Sequence, residues 1–216
     1  MRTVLPRLLA GLPDAVTAAL FLIAWIEPSI PGPEYVKNLM LVMLIEFIVM
    51  HSSAFYSVIA TDDSDSPIKR SLMLIGLSAF YLAFVAGFAW AFDSTWPLFA
   101  FAWLFVSRFI HLWIHPAQSG AEGGRMMALW GASAVAYLVG AFATVMLPLP
   151  ALGITPEVIS SMHLPGSGEW IERPYTVLAF GALYFSVQAW VKYALSGLSN
   201  RHADVARTSP QAERSP

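Results

Sequence analysis

Five ionisable side chains lie inside two strongly apolar stretches of the chain. Glu46 and His51 occur in the first stretch, and Arg108, His111 and His115 occur in the second. A charge inside a hydrocarbon layer costs several kcal/mol unless it finds a partner or water, so side chains of this kind usually mark a functional site. Carboxylates and imidazoles can hold and release a proton, and neutral imidazole also binds metal ions. These five residues are therefore the candidate functional site.

The composition is typical of a membrane protein. Of 216 residues, 57% are hydrophobic and 12% are charged. Soluble domains carry roughly 25% charged residues, because they must present a polar surface to water. The chain has no cysteine, which excludes disulfides, thiolate metal sites and covalently attached c-type haem. The net charge of −2, with no basic stripe, gives no reason to expect nucleic acid. The expected partner is the lipid bilayer.

Six apolar segments follow one another along the chain. A helix needs about 20 residues to cross a hydrocarbon core of about 30 Å, and each segment approaches or exceeds that length. The segments are continuously apolar and do not alternate with period two, so helices are expected instead of strands. We therefore predict an all-α, polytopic fold, with six transmembrane helices in one bundle over 1–198 and a disordered cytoplasmic tail over 199–216. The predicted spans are about 9–27, 36–60, 70–92, 96–115, 126–147 and 174–195.

The basic residues indicate the orientation of this bundle. With six spans, one side holds nine of the twelve Lys and Arg residues and the other side holds two, while Arg108 lies inside a span. Cytoplasmic loops carry the excess of Lys and Arg in membrane proteins. We predict a multi-pass protein of the cell (inner) membrane with both termini cytoplasmic. The nine residues are Arg2, Arg7, Lys69, Arg70, Arg125, Lys192, Arg201, Arg207 and Arg214.

Four of the five candidate residues fall at similar predicted depths. At 1.5 Å per residue, Glu46 and Arg108 lie about 15 and 18 Å below the outer boundary. His51 and His111 both lie at about 22 Å, and His115 at about 28 Å. At 100° per residue, Arg108, His111 and His115 share one helix face. Glu46 and His51 are about 140° apart around their own helix. We predict a polar layer between helices 2 and 4, formed by Glu46, His51, Arg108 and His111, with an ion pair between Glu46 and Arg108.

Three functional interpretations of this layer remain open. It can be structural, with buried Glu–Arg–His contacts that only fix the packing of helices in a membrane subunit. It can hold a metal ion on His111 and His115, which at i,i+4 can share one ion, with His51 or Glu46 completing the ligand set. It can instead hold a b-type haem, with His51 and His111 as the axial ligands. It can also be a pathway for protons or a small solute. A lipid-modifying or hydrolytic enzyme is a further alternative.

Motifs of several enzyme classes are missing from the sequence. There is no H-E-x-x-H metal motif, no G-x-S-x-G nucleophile motif, no Walker A loop and no dinucleotide-binding glycine pattern. The chain therefore gives no catalytic residue that can be named from the sequence. The loop over 148–173, which is on the predicted outer side, is rich in proline and glycine and is expected to fold back as a cap over the bundle.

Overall fold

The computed structural model describes residues 4–61, 66–103 and 120–208, and these residues form helices and connecting turns, with no strand among them. This confirms the predicted all-α class for the described part of the chain. The helices are α1 (Val4–Ile26), α2 (Pro33–Thr61), α3 (Pro67–Ala91), α4 (described over 96–103), α5 (Gly120–Met146), α6 (Pro156–Met162), α7 (Glu169–Glu172) and α8 (Pro174–Thr208). Helix α8 ends at Thr208, and the disordered tail over 199–216 stays a prediction.

The all-helical class is confirmed, but the bundle of six spans is not. Among the described residues, two helices are long and apolar enough to cross a membrane, Glu34–Tyr56 in α2 and Ile68–Ala91 in α3. Two shorter apolar helical stretches are Gly11–Ile26 and Trp130–Met146. Most of the predicted fourth span lies outside the described residues. In the predicted sixth span, within α8, polar side chains interrupt the apolar sequence.

Helix starts follow local capping rules. Ser66 precedes α3 and its hydroxyl accepts a hydrogen bond from the Lys69 amide, while Pro67 occupies the first helical position. Thr155 and Pro156 play the same two roles for α6. A hydroxyl at the N-cap satisfies one of the free amides of the first turn, and proline there costs no hydrogen bond.

The first and last large helices pack closely against each other in opposite directions. Gly11 of α1 lies against the backbone of Ala189 in α8, and a Cβ at Gly11 would be 2.6 Å from the Ala189 carbonyl oxygen. Further along the pair, Phe21 fills the space over Gly181. Small residues at such contacts let two helix backbones approach. The same device joins α5 to α8, where Gly140 faces the Phe180 ring.

Two separate hydrophobic clusters lie on opposite sides of α2. The larger cluster joins α1, α2, α5 and α8 and includes Phe21, Met43, Tyr137 and Phe180. The smaller joins α2, α3 and the start of α4 through Ile45, Ile48, Tyr81, Val85 and Phe101. Helix α2 therefore lies between the two clusters, and side chains on its different faces have different neighbours.

The segment between α5 and α8 folds back over one end of the bundle. The indole nitrogen of Trp25 donates to the Pro150 carbonyl oxygen at 3.0 Å, and the Gly153 amide donates to the Trp25 carbonyl oxygen at 3.1 Å. Ile154 and Met162 of this segment are buried in the larger cluster. These contacts attach the expected cap to the end of α1.

Candidate functional site

Glu46 points from α2 toward α8. The hydroxyl of Tyr184 donates a hydrogen bond to Glu46 Oε1 at 2.8 Å. Tyr184 is 1% exposed, so this contact lies in the interior of the bundle. A buried carboxyl group that has a single neutral donor can hold a proton or release it, depending on the charges around it.

A polar stripe on α8 continues from this contact. It consists of Tyr184, Gln188 and Lys192, which are spaced by four residues and therefore lie on one face of the helix. Gln188 is buried and hydrogen-bonds the Tyr184 side chain. The polar stripe thus leads from Glu46 toward Lys192, whose side chain is 46% exposed.

The far end of the polar stripe carries an ion pair with α1. Lys192 Nζ lies 2.7 Å from Asp14 Oδ2, and the Asp14 side chain is only 12% exposed. Lys192 and Asp14 are also close enough to Glu46 for their opposite charges to interact with it. Three ionisable groups from three helices are therefore electrostatically linked.

Aromatic rings enclose Glu46 on the side of α5. Tyr137 is buried, and its ring packs edge to face against Phe180 at a centroid distance of 4.7 Å and against Tyr184 at 5.5 Å. Its hydroxyl donates to the Met43 carbonyl oxygen at 2.9 Å. Because the Tyr137 hydroxyl donates to the backbone, the tyrosine that hydrogen-bonds the Glu46 carboxyl group is Tyr184.

His51 lies on another face of α2 and is exposed. Its ring stacks on Phe47 at a centroid distance of 5.5 Å and contacts Phe55 at 5.6 Å and Tyr81 at 6.5 Å. Phe47 and Phe55 are one helical turn before and after it. Among the described residues, Glu46 and His51 therefore have different neighbours, which agrees with their angular separation of about 140° on a helix.

The other predicted site residues, Arg108, His111 and His115, lie outside the described residues. The Glu46–Arg108 ion pair and the histidine centre for a metal ion or b-type haem therefore stay predictions. The described start of α4 packs on the side of α2 that carries Ile45 and Ile48. Within the ranges that the structure describes, no group of three or more His, Asp or Glu side chains could hold a metal ion.

Polar residues of the cap make local contacts at the surface. Glu169 forms an ion pair with Arg173 at 3.3 Å, one turn away. A hydrogen bond with Thr155 and one with the Glu157 backbone hold the pKa of the exposed Glu157 below its usual value. Glu157 and Glu169 thus make local contacts at the ends of the short helices α6 and α7.

Sequence reasoning missed the residues that surround Glu46. Tyr184, Gln188 and Asp14 were absent from the predicted layer, and Lys192 was counted only as an inner basic residue. Two signals could have found them: Asp14 and Lys192 are charged residues inside predicted spans, and the i, i+4, i+8 spacing on the last span is helical. The predicted layer rests on depths along helices 2 and 4 alone, so it does not include side chains of the first and last spans.

Comparison of the chain with protein family models, with curated proteins and with solved structures finds no match. The functional proposal therefore starts from the chemistry of Glu46 and the polar stripe.

Proposed function

We propose that the chain is an integral membrane protein in which Glu46 carries protons within the bilayer. The location rests mainly on α3. Its span Ile68–Ala91 has a mean hydropathy of 2.1, yet only 28% of its most apolar part is buried. The core helix of a soluble protein would be mostly buried, and a signal sequence would lie near the N-terminus. A lipid environment accounts for an apolar helix that is exposed.

Other helices support the same environment. Leu12, Val16 and Ile23 on α1 are exposed, as are Leu138 and Phe142 on α5. Tyr184 and Gln188 of the polar stripe are buried, and Tyr184 contacts Glu46 inside the bundle. An apolar exterior and a polar interior suit a bilayer, where ionisable side chains face the interior of the bundle. A multi-pass arrangement in the inner membrane, with both termini cytoplasmic, is part of the proposal because of the distribution of basic residues.

The position of Glu46 supports a role in proton transfer. Glu46 lies 12 residues after Glu34 and 10 before Tyr56, so its distances from the two ends of that span are about 18 and 15 Å at 1.5 Å per residue. The observation that carries the proposal is the hydrogen bond from Tyr184 to Glu46, at the head of a polar stripe that ends at the Lys192–Asp14 ion pair. Ionisable chains of this kind mark proton relays in membrane proteins.

The chemistry asked of the site is simple. The Glu46 carboxyl group accepts a proton from one side of the membrane and releases it to the other side. Throughout, Glu46 Oε1 accepts the hydrogen bond from the Tyr184 hydroxyl. No other bond forms or breaks. The Lys192–Asp14 pair supplies the field in which Glu46 gains and loses the proton.

Proton flux in proteoliposomes tests this function. Vesicles containing the purified full-length chain and a trapped pH-sensitive dye are given a potassium diffusion potential, and internal acidification is recorded. We expect flux above that of protein-free vesicles, and its loss in Glu46→Gln. Glu34→Gln is the matched control, because Glu34 lies on the same helix, is exposed and pairs with Lys37 at 3.3 Å. Wild-type flux equal to that of empty vesicles, or full flux in Glu46→Gln, would overturn the proposal.

A further inference from the structure

The charges around Glu46 do not balance if every group is ionised. Of the described residues, the ionisable groups that face Glu46 are Lys192 and Tyr184 from α8, Asp14 from α1 and Tyr137 from α5. Asp14 and Glu46 would supply two negative charges and Lys192 one positive charge. In an interior of low dielectric constant, an unbalanced charge is strongly disfavoured.

The observed pairing decides which carboxylate is neutralised by Lys192. The ammonium group lies 2.7 Å from Asp14 Oδ2, whereas the direct partner of Glu46 is the neutral hydroxyl of Tyr184. A phenol hydroxyl can donate to an ionised carboxylate or to the carbonyl oxygen of a protonated carboxyl group. The Asp14–Lys192 pair is neutral as a unit, so the arrangement is balanced when Glu46 carries a proton.

We infer that the Asp14–Lys192 ion pair controls the protonation of Glu46: while Lys192 is held by Asp14, Glu46 keeps its proton, and when Asp14 is neutral, the uncompensated Lys192 ammonium stabilises the Glu46 carboxylate, whose proton passes to water. Asp14 is then a positioning residue that acts through Lys192. The inference rests on the proposed location of Glu46 inside a membrane protein, and it adds a means of regulating that site.

The charge of Lys192 acts on Glu46 as well as on its direct partner Asp14. The Lys192 side chain is long and flexible, and side chains on a helix lean toward the N-terminal end, which on α8 is the direction of Gln188 and Tyr184. The buried amide of Gln188 lies between Tyr184 and Lys192 on the polar stripe.

Infrared spectroscopy of the full-length protein in lipid tests the inference directly. The stretching band of a protonated carboxyl group is recorded at pH 7 and assigned to Glu46 by its loss in Glu46→Gln. We expect the band in the wild type and its loss in Asp14→Asn, because the freed Lys192 charge ionises Glu46. The band should return in the double variant Asp14→Asn with Lys192→Gln, which removes that charge. Glu34→Gln should leave it unchanged.

Two further variants keep the test independent of folding. Asp14→Ser makes the same charge change by a different side chain, and Asp14→Glu should restore the wild-type band because it restores the ion pair. Folding of each variant is checked by its circular dichroism. A wild-type protein without the Glu46 band, or a folded Asp14→Asn or Asp14→Ser variant that retains the full band, would overturn the inference. The measurement requires no flux, so a failure of proton transport would leave its result interpretable.

Discussion

The Tyr184 hydroxyl donates a 2.8 Å hydrogen bond to the Glu46 carboxyl oxygen and so joins α8 to α2 across 138 positions of the chain. Both groups lie among the aromatic residues of the larger hydrophobic cluster. In such a place the bond holds two helices in register as well as holding the carboxyl group in one orientation.

Removal of the donor should therefore destabilise the bundle. In Tyr184→Phe the ring is kept and the hydroxyl is lost, which leaves the Glu46 oxygen without its partner. We expect a loss of about 1–3 kcal/mol in the free energy of unfolding, measured by thermal unfolding in detergent. Tyr35→Phe is the control, because Tyr35 is exposed. If the bond matters as described, the effects of Tyr184→Phe and Glu46→Met will be less than additive in the double variant.

The close contact of α1 with α8 predicts a sharp difference between two glycines. Gly11→Ala should destabilise the protein by about 1–3 kcal/mol, because the new Cβ would press on the Ala189 carbonyl and force the helices apart. Gly76→Ala in α3 should be neutral or stabilising, because no atom lies within 4 Å of the added Cβ and alanine is the better helix former. Thermal unfolding of both variants provides the comparison, and equal losses would contradict the close approach.

The orientation can be read with reporter fusions. Nine basic residues on one side and two on the other predict a cytoplasmic C-terminus and an outward loop over 148–173. A reporter active only outside should be silent at the C-terminus and active when inserted near Gly166, an exposed position of the cap. An active external reporter at the C-terminus would contradict the arrangement with six spans.

A double-mutant cycle tests the predicted ion pair of Glu46 with Arg108. The pairing predicts that Glu46→Gln and Arg108→Met each destabilise the protein and that the double variant recovers, since loss of one partner of a buried pair costs about 3–5 kcal/mol. Glu46 faces α8, while the described start of α4 packs near Ile45 and Ile48. The measurement is the melting temperature in detergent, and strictly additive losses would contradict the pairing.

The histidine centre makes a spectroscopic prediction. If His51, His111 and His115 share a metal ion or a haem, the purified protein contains stoichiometric metal or shows a Soret band, and His51→Ala removes it. The His51 ring packs against Phe47, Phe55 and Tyr81, away from Glu46, so His51→Ala should leave proton flux unchanged. Elemental analysis and an absorption spectrum check the first point, and the vesicle assay checks the second.

The helical class follows from the sequence because continuous apolar runs of this length admit few other structures. The importance of Glu46 also follows, since a carboxyl group in such a run requires a partner. The identity of that partner does not follow. Equal depth on two helices does not show which helices are neighbours, and the described hydrogen-bond partner of Glu46 lies on the last large helix, which the depth comparison did not include. That choice depends on packing between segments far apart in the chain, such as Gly11 on Ala189 and Gly181 on Phe21.

The pairing of the first large helix with the last has a consequence for biosynthesis. Asp14 is made early, but its partner Lys192 follows only after the rest of the bundle has been synthesised. Until then the nascent chain holds an acidic side chain in α1 without the cation that neutralises it in the finished fold. Long-range contacts of this kind form late and slowly. Arrival of α8 is thus the step that completes the bundle, and a chain shortened before Pro174, where α8 begins, would leave α1 without its principal neighbour.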